Sequence, residues 1–170
     1  MDQQLWEKCV EFHGHVCPAV TMGYKACEAV QEKMGPDFFQ GELVVVTEND
    51  ACGTDAVQVI TGCTFGKGNL VYRDTDKMAW SFFNKTSGES MRVILKPLEE
   101  IKDRSEFQQF IANAPGDVLF NFSKPSFALL QKPRRLPSAV CEACGETAGQ
   151  HRMRVQNGEK VCLDCFTDYI

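Results

Sequence analysis

The stretch Phe12-His13-Gly14-His15-Val16-Cys17-Pro18 sets two imidazoles and a thiol at alternate positions. In an extended segment, residues 13, 15 and 17 share one face, because strand side chains repeat every second residue. Pro18 suits the first turn of a helix, where its missing N–H costs nothing. Cys17 then stands at a helix N-terminus, whose partial positive charge favours a thiolate. Two chemistries fit. The group is a transition-metal site with borderline-soft donors, or Cys17 is a nucleophile with His13 or His15 as its base.

A second set of thiols lies near the end of the chain. Cys141-Glu142-Ala143-Cys144 and Cys162-Leu163-Asp164-Cys165 are two Cys-x-x-Cys pairs separated by seventeen residues. Four thiolates match a closed tetrahedral structural zinc site. Gly145 allows a tight turn after the first pair, and Asn157-Gly158 is a hairpin signal between the pairs. Phe166 to Ile170 is read as the start of a short helix. His151 is a spare donor that four thiolates leave unnecessary. About thirty residues bury too little to fold alone, so the metal supplies much of this module's stability.

The elements that must hold the first group follow from periodicity. Residues 3–12 read as a helix with Leu5, Trp6, Cys9 and Val10 on its apolar face. A second helix runs from Pro18 to Met34, with Val20, Tyr24, Cys27 and Val30 on one stripe, and Gly35-Pro36 ends it. Cys9 and Cys27 are therefore expected to be small core residues. Gly23 permits close approach of another backbone. Residues 42–48 are a β-branched run of strand length. Asn49 to Asp55 then form a turn that presents Cys52, with Thr54 as the expected N-cap of a short helix ending near Gly62. Gly66-Lys67-Gly68 lacks the remainder of a phosphate-binding motif and reads as a plain turn. Leu70–Arg73, Met78–Asn84 and Ser90–Lys96 are expected as an antiparallel meander. A helix over 103–112 and a strand over 118–122 complete the core.

The fold class is accordingly α+β. An antiparallel-rich sheet packs with helices over residues 1–125. Residues 126–139, with Pro133, Pro137, Lys132, Arg134 and Arg135, read as a linker. Residues 140–170 form the zinc-binding module, treble-clef or ribbon-like.

Composition narrows the function classes. The chain has 170 residues and a net charge of −5. Residues 1–125 carry 12 basic and 18 acidic side chains, the remainder 6 and 5, so neither part is a bulk electrostatic nucleic-acid binder. No apolar run nears the roughly 20 residues of a membrane helix. Met1-Asp2-Gln3-Gln4 has no signal-peptide pattern, and a cytoplasmic setting is expected. Nine cysteines in a reducing compartment point to metal or thiol chemistry rather than disulfides.

Three further stretches join the first: Gly23-Tyr24-Lys25-Ala26, Asp50-Ala51-Cys52-Gly53-Thr54-Asp55-Ala56, and Thr61-Gly62-Cys63-Thr64-Phe65-Gly66-Lys67-Gly68-Asn69. In this order they resemble the E-subunit family of formylmethanofuran dehydrogenase over roughly residues 5–100. Some members of that family carry a C-terminal zinc finger. The resemblance implies an α+β core, a homodimer, and a site of His13, His15 and Cys17 with Cys52 and either Asp55 or Cys63. Ala19 stands where members often have glycine. The family's enzyme complex oxidises its substrate with a molybdenum or tungsten pterin and iron–sulfur clusters. This chain has no ferredoxin-type cysteine run to hold a cluster. An accessory role beside such an oxidoreductase, in metal or cofactor handling, is what the resemblance implies.

The expected core site is therefore a metal held by His15, Cys17 and Cys52, zinc first among the candidates, with one position open to a small-molecule substrate. Catalytic roles fall to Cys17, His15, His13 and Asp55. The structural metal falls to Cys141, Cys144, Cys162 and Cys165. The alternative is a regulatory module whose finger, with Arg152 and Arg154, contacts a protein or nucleic-acid partner, protein being favoured because no base-reading helix is evident. Metal content separates these expectations. Anaerobically purified protein should hold two metals per chain, and a chain ending near Pro125 should hold one. One metal falling to none would make the core a thiol site without metal.

Overall fold

The computed structural model divides the chain into two compact units, Met1–Ala128 and Leu129–Ile170. Residues 1–99, 101–129 and 136–168 are described, and Lys132, Pro133, Arg134 and Arg135 of the expected linker lie outside them. The first unit runs three residues past the expected boundary. Phe127 explains the extension, because its ring packs 5.9 Å from that of Phe83 and takes the Arg73 guanidinium at 4.6 Å.

Helix α1 (Gln3–His13) starts where the Asp2 carboxylate accepts the Leu5 N–H at 2.8 Å. Its apolar face places Trp6 edge-on to Tyr24 at 5.6 Å. Helix α2 (Pro18–Met34) is the backbone of the unit and is buried from Val20 through Cys27. Strand β1 (Leu43–Thr47) leads into α3 (Gly53–Thr61), and β2 (Leu70–Tyr72) follows. Lys67, in the glycine-flanked turn, donates to the Gly62 carbonyl at 2.9 Å and so completes the end of α3. Strands β3 (Ala79–Asn84) and β4 (Ser90–Leu95), helix α4 (Arg104–Asn113), the short α5 (Gly116–Leu119) and β5 (Phe120–Ser123) complete the order.

The sheet order is β2-β1-β3-β4-β5. β1 to β5 are antiparallel-rich, as expected, but the meander is not continuous. β2 pairs in parallel with β1, with Val45 opposite Leu70, and β1 lies between β2 and β3. The cause is α3, a crossover that returns the chain beside β1 in the same direction. Residues 118 and 119, expected as strand, belong to α5, and the strand begins at Phe120.

The core between the helices and the sheet holds Trp80, Phe82, Leu119, Phe120 and Ile111, all fully buried. Cys27 and Cys63 lie in this cluster. Glu48, also fully buried, receives Arg92 Nε at 2.6 Å and Arg92 Nη2 at 3.0 Å. The Arg92 hydrogen bonds hold the Glu48 carboxyl below its usual range.

One crossing sets the geometry of everything at the top of the sheet. A Cβ built on Gly23 of α2 would be driven into the Gly53 carbonyl, and one built on Gly53 would meet the Ala19 carbonyl oxygen at 2.8 Å. The two helices therefore touch backbone to backbone, as the glycine at position 23 permits. Gly23→Ala should destabilise the protein by about 3 kcal/mol, because the rigid backbone opposite cannot yield. A urea midpoint equal to that of wild type would contradict this crossing.

Candidate metal centres

The crossing brings two helix N-termini together, each with a cysteine at its cap. Cys17 is the N-cap of α2, and its Sγ accepts the Val20 N–H at 3.4 Å. Cys52 is the N-cap of α3, so the cap is not Thr54. Thr54 has another task. The Trp80 indole N–H reaches the Thr54 hydroxyl at 3.4 Å, that hydroxyl lies 2.9 Å from Thr47 Oγ1, and Thr47 donates to the Asn49 carbonyl at 2.6 Å. This buried chain fixes the turn that carries Cys52.

The third donor comes from the end of α1. His13 is its last residue, and Gly14 leaves it with φ 92° in the left-handed region. Residues 13 to 17 are therefore not one extended face, because His13 is still helical. Side-chain donor atoms of His13, Cys17 and Cys52 all lie within 4.8 Å of one another. His15 is outside this group. It is exposed, with its ring tilted against that of His13 at a centroid distance of 4.5 Å. The imidazole beside the two thiols is thus His13, where His15 was expected.

His13 is also oriented. Its Nδ1 lies 2.7 Å from Asp55 Oδ2, while its Nε2 lies 3.8 Å from Cys17 Sγ. Asp55 is in the first turn of α3 and takes a second bond from Gln58 Nε2 at 3.3 Å. A carboxylate on one imidazole nitrogen fixes the tautomer that presents the other as a donor. Sulfur and nitrogen ligands of a tetrahedral zinc ion stand about 3.6 Å apart, so the 3.8 Å separation fits such an ion. Burial raises the Cys52 thiol above its ordinary value, and the adjacent Cys17 adds to the rise.

Two positioning residues carry no sequence signal of their own beyond the four-residue step from Cys17. Thr21 Oγ1 donates to the Cys17 carbonyl at 3.0 Å, and Gln108 Nε2 from α4 reaches Thr21 Oγ1 at 2.6 Å. The remaining core cysteines stay out of the site. Cys9 is fully buried, which pushes its thiol up to about 11, and Cys27 and Cys63 are raised by burial as well. Of the two residues that the family resemblance offered beside Cys52, Asp55 joins the site and Cys63 does not.

In the second unit, β6 (Ser138–Val140) pairs with β7 (Thr147–Gly149), and β8 (Arg154–Gln156) pairs with β9 (Glu159–Val161). Residues 138 and 139, placed in the linker by sequence, are thus strand. Asn157 and Gly158 both have positive φ in the turn between β8 and β9. The donor atoms of Cys141, Cys144, Cys162 and Cys165 lie within 4.8 Å of one another, with Cys144 Sγ 3.9 Å from Cys162 Sγ. Tetrahedral zinc places its sulfurs about 3.8 Å apart, so the four thiols fit a structural zinc. The first cysteine pair lies in the turn between β6 and β7, and the second follows β9. Among the described residues no helix follows Cys165. Arg152 and Arg154 are exposed.

Backbone N–H groups aimed at sulfur, that of Cys144 first and that of Cys162 next, lower the Cys141 thiol to about 6. Hydrogen bonding with Cys162 raises Cys165 to about 12. Cys141 is ready to lose its proton, while Cys144 and Cys165, both raised, need the metal to do so.

Comparison with known proteins gives both parts relatives. Residues 12–119 match the family model described as FmdE, Molybdenum formylmethanofuran dehydrogenase operon. The chain belongs to the FmdE family. Residues 134–170 match the prokaryotic dksA/traR C4-type zinc finger. A solved structure, a tungsten formylmethanofuran dehydrogenase FmdE-like protein from Syntrophus aciditrophicus, superposes with a TM-score of 0.69 at 30% identity, covering 96% of this chain and 90% of that one. A probable S-adenosyl-L-methionine-binding protein of Archaeoglobus fulgidus is 28% identical over 192 residues, 94% of this chain and 51% of that protein. The chain thus spans about half the length of this curated relative. Among the described residues, no helix is long and apolar enough to cross a membrane.

Zinc binding by the four tail cysteines must expel protons, so affinity must fall as pH falls. Competition with a chromophoric chelator should show a loss of at least about tenfold per pH unit below neutrality. An affinity independent of pH would mean that the thiols are not the ligands.

Proposed function

We propose that the FmdE-type unit is a metal-dependent catalytic or accessory domain. His13, Cys17 and Cys52 hold one transition-metal ion, with zinc the expected species, and one coordination position is left for a small-molecule substrate. The observation that carries this reading is the convergence of three donor atoms within 4.8 Å on an imidazole whose other nitrogen is tied to Asp55. Bound there, the ion supplies Lewis acidity at its open position. Cys17 and Cys52 supply charge, His13 a neutral donor, and Asp55 its orientation. His15, beside the His13 ring, is the imidazole assigned to proton transfer. Family resemblance supports the remaining parts of the proposal: a homodimer, an accessory relation to a molybdenum or tungsten oxidoreductase, and a cytoplasmic setting in which the thiols stay reduced. The name of the Archaeoglobus relative makes S-adenosyl-L-methionine a ligand to test by equilibrium dialysis.

A second reading has its own geometry. Cys17, His13 and Asp55 follow one another at separations of 3.8 Å and 2.7 Å. That is the arrangement of a thiol nucleophile, a base and its orienting carboxylate. It leaves the third donor, Cys52, without a task, which is why the metal reading stands first.

Cys17→Ser, Cys52→Ser and His13→Ala should each remove one metal per chain while the tail keeps its own. Asp55→Asn should weaken the core metal by about 10- to 100-fold. Unchanged metal content in both cysteine variants would overturn the proposal. A core without metal in wild type, together with Cys17 alkylation that slows in His13→Ala, would establish the nucleophile reading instead.

A further inference from the structure

We propose that Cys17 and Cys52 are an oxidisable pair, which a low-molecular-weight disulfide converts to an intramolecular disulfide bond. The inference goes beyond the metal reading and stands without it, because it uses only the two sulfurs and the imidazole that the chain itself brings together.

Proximity comes first. The sulfurs of Cys17 and Cys52 lie within 4.8 Å of each other. A disulfide draws two sulfurs to about 2.05 Å, a gap that rotation of the two side chains must close. The frame that carries them is fixed. Gly53, next to Cys52, lies so near Ala19 that a Cβ on it would meet the Ala19 carbonyl oxygen at 2.8 Å, and Ala19 is two residues from Cys17. Two thiols held in this way react within one molecule, with no encounter to wait for.

Burial sets the order of events. Cys17 is 4% exposed, while Cys52 is half-buried and is the sulfur that solvent reaches. An incoming R–S–S–R therefore meets Cys52 first, since thiol–disulfide exchange depends on access. The Cys52 sulfur attacks, the S–S bond of the reagent breaks, and a mixed disulfide Cys52–S–S–R forms. The first R–S⁻ leaves and takes up the proton that Cys52 gave up. Cys17 then attacks the Cys52 sulfur. His13 Nε2, 3.8 Å from Cys17 Sγ, takes the Cys17 proton, because Nδ1 faces Asp55 at 2.7 Å and leaves Nε2 free to accept. The Cys17–Cys52 bond forms, and the second R–S⁻ leaves and is protonated in turn. In sum, the two thiols lose two electrons and two protons, and one R–S–S–R becomes two R–SH.

No other thiol of the first unit competes. Cys9, Cys27 and Cys63 are fully buried, and the Cys9 and Cys63 thiols face the carbonyls of Ala56 and Leu43. The new bond occupies two of the three converging donors and leaves His13 alone, so the group cannot hold an ion and a disulfide at once.

The test uses full-length protein, freed of metal with a chelator, and 2-hydroxyethyl disulfide under anaerobic conditions. Peptide mapping should find a Cys17–Cys52 link, two hydrogens or about 2 Da lighter than the two free peptides. Links within the tail fall on other peptides. Cys17→Ser should instead keep the mixed disulfide on Cys52, an addition of about 76 Da. Cys52→Ser should take up reagent at Cys17 at least about tenfold more slowly than that, because Cys17 is covered. In urea, where the nine cysteines pair without a frame, the preference for this link should disappear. Absence of the Cys17–Cys52 link in wild type overturns the proposal. Faster uptake at Cys17 in Cys52→Ser than at Cys52 in Cys17→Ser overturns it as well, because the order of attack is then wrong. Metal content is measured separately on the reduced protein, so the metal reading stands or falls independently of this result.

Discussion

The contact between Gly23 and Gly53 is the constraint on which the site depends. Helices with side chains at their crossing stand about 8–10 Å apart, and two caps on such helices would be too distant to share a ligand. Removing both Cβ atoms lets α2 and α3 touch through their backbones. Because the contact falls in the first turn of α3 and the second of α2, it fixes the helix N-termini more tightly than their far ends. Cys17 and Cys52 are the caps of those two ends. The matching stretches therefore combine the candidate donors Cys17 and Cys52 with glycines, Gly23 and Gly53, that bring them together. Ala19, whose carbonyl touches Gly53, shows that a methyl group is tolerated one residue past Pro18.

Two thiols facing each other pose an electrostatic problem. If both ionise, their charges repel, and burial raises the cost further. The Cys52 thiol accordingly sits above its ordinary value. Two features lower that cost. The positive ends of two helix dipoles converge on the sulfurs, and a backbone N–H already points at Cys17. A divalent ion would remove the rest, and His13, held by Asp55, completes the donor set without adding charge. Two neighbouring thiols and an oriented imidazole form a donor set that a divalent cation would complete.

Much of this was readable from the chain. The start of α2 followed from Pro18, its end from Gly35-Pro36, and the packing roles of Cys9 and Cys27 from their helical spacing. The four tail cysteines carried their own chemistry in their spacing. The choice between His13 and His15 was not readable, because it turns on one residue of helix length. Had α1 ended at Phe12, the two imidazoles and the thiol could have shared an extended face. The left-handed Gly14 comes one residue later and leaves His15 outside. The parallel placement of β2 was hidden for a similar reason. Local pattern shows that a strand exists, while its partner depends on where the intervening α3 packs. Thr54 looked like a cap because threonine commonly is one. Its hydroxyl instead serves the buried link from Trp80 to Thr47.

The two centres also differ in what the fold asks of them. In the tail, the buried apolar set is Val161 with two of the ligands themselves, Cys141 and Cys162. Among the described residues this is a small cluster, with Ala148, Met153 and Phe166 packed against it, so a zinc ion held by the four cysteines would do much of the work of holding the hairpins together. The first unit buries Trp80, Phe82, Phe120 and Ile111 in a cluster separate from the one that holds Cys17. Its stability does not require an ion at the rim. Glycines that give up side-chain packing to bring two cysteines together are a local sacrifice that the fold itself does not require. That asymmetry separates the structural zinc site of the tail from the core cluster, for which we propose a metal that works rather than one that holds the fold.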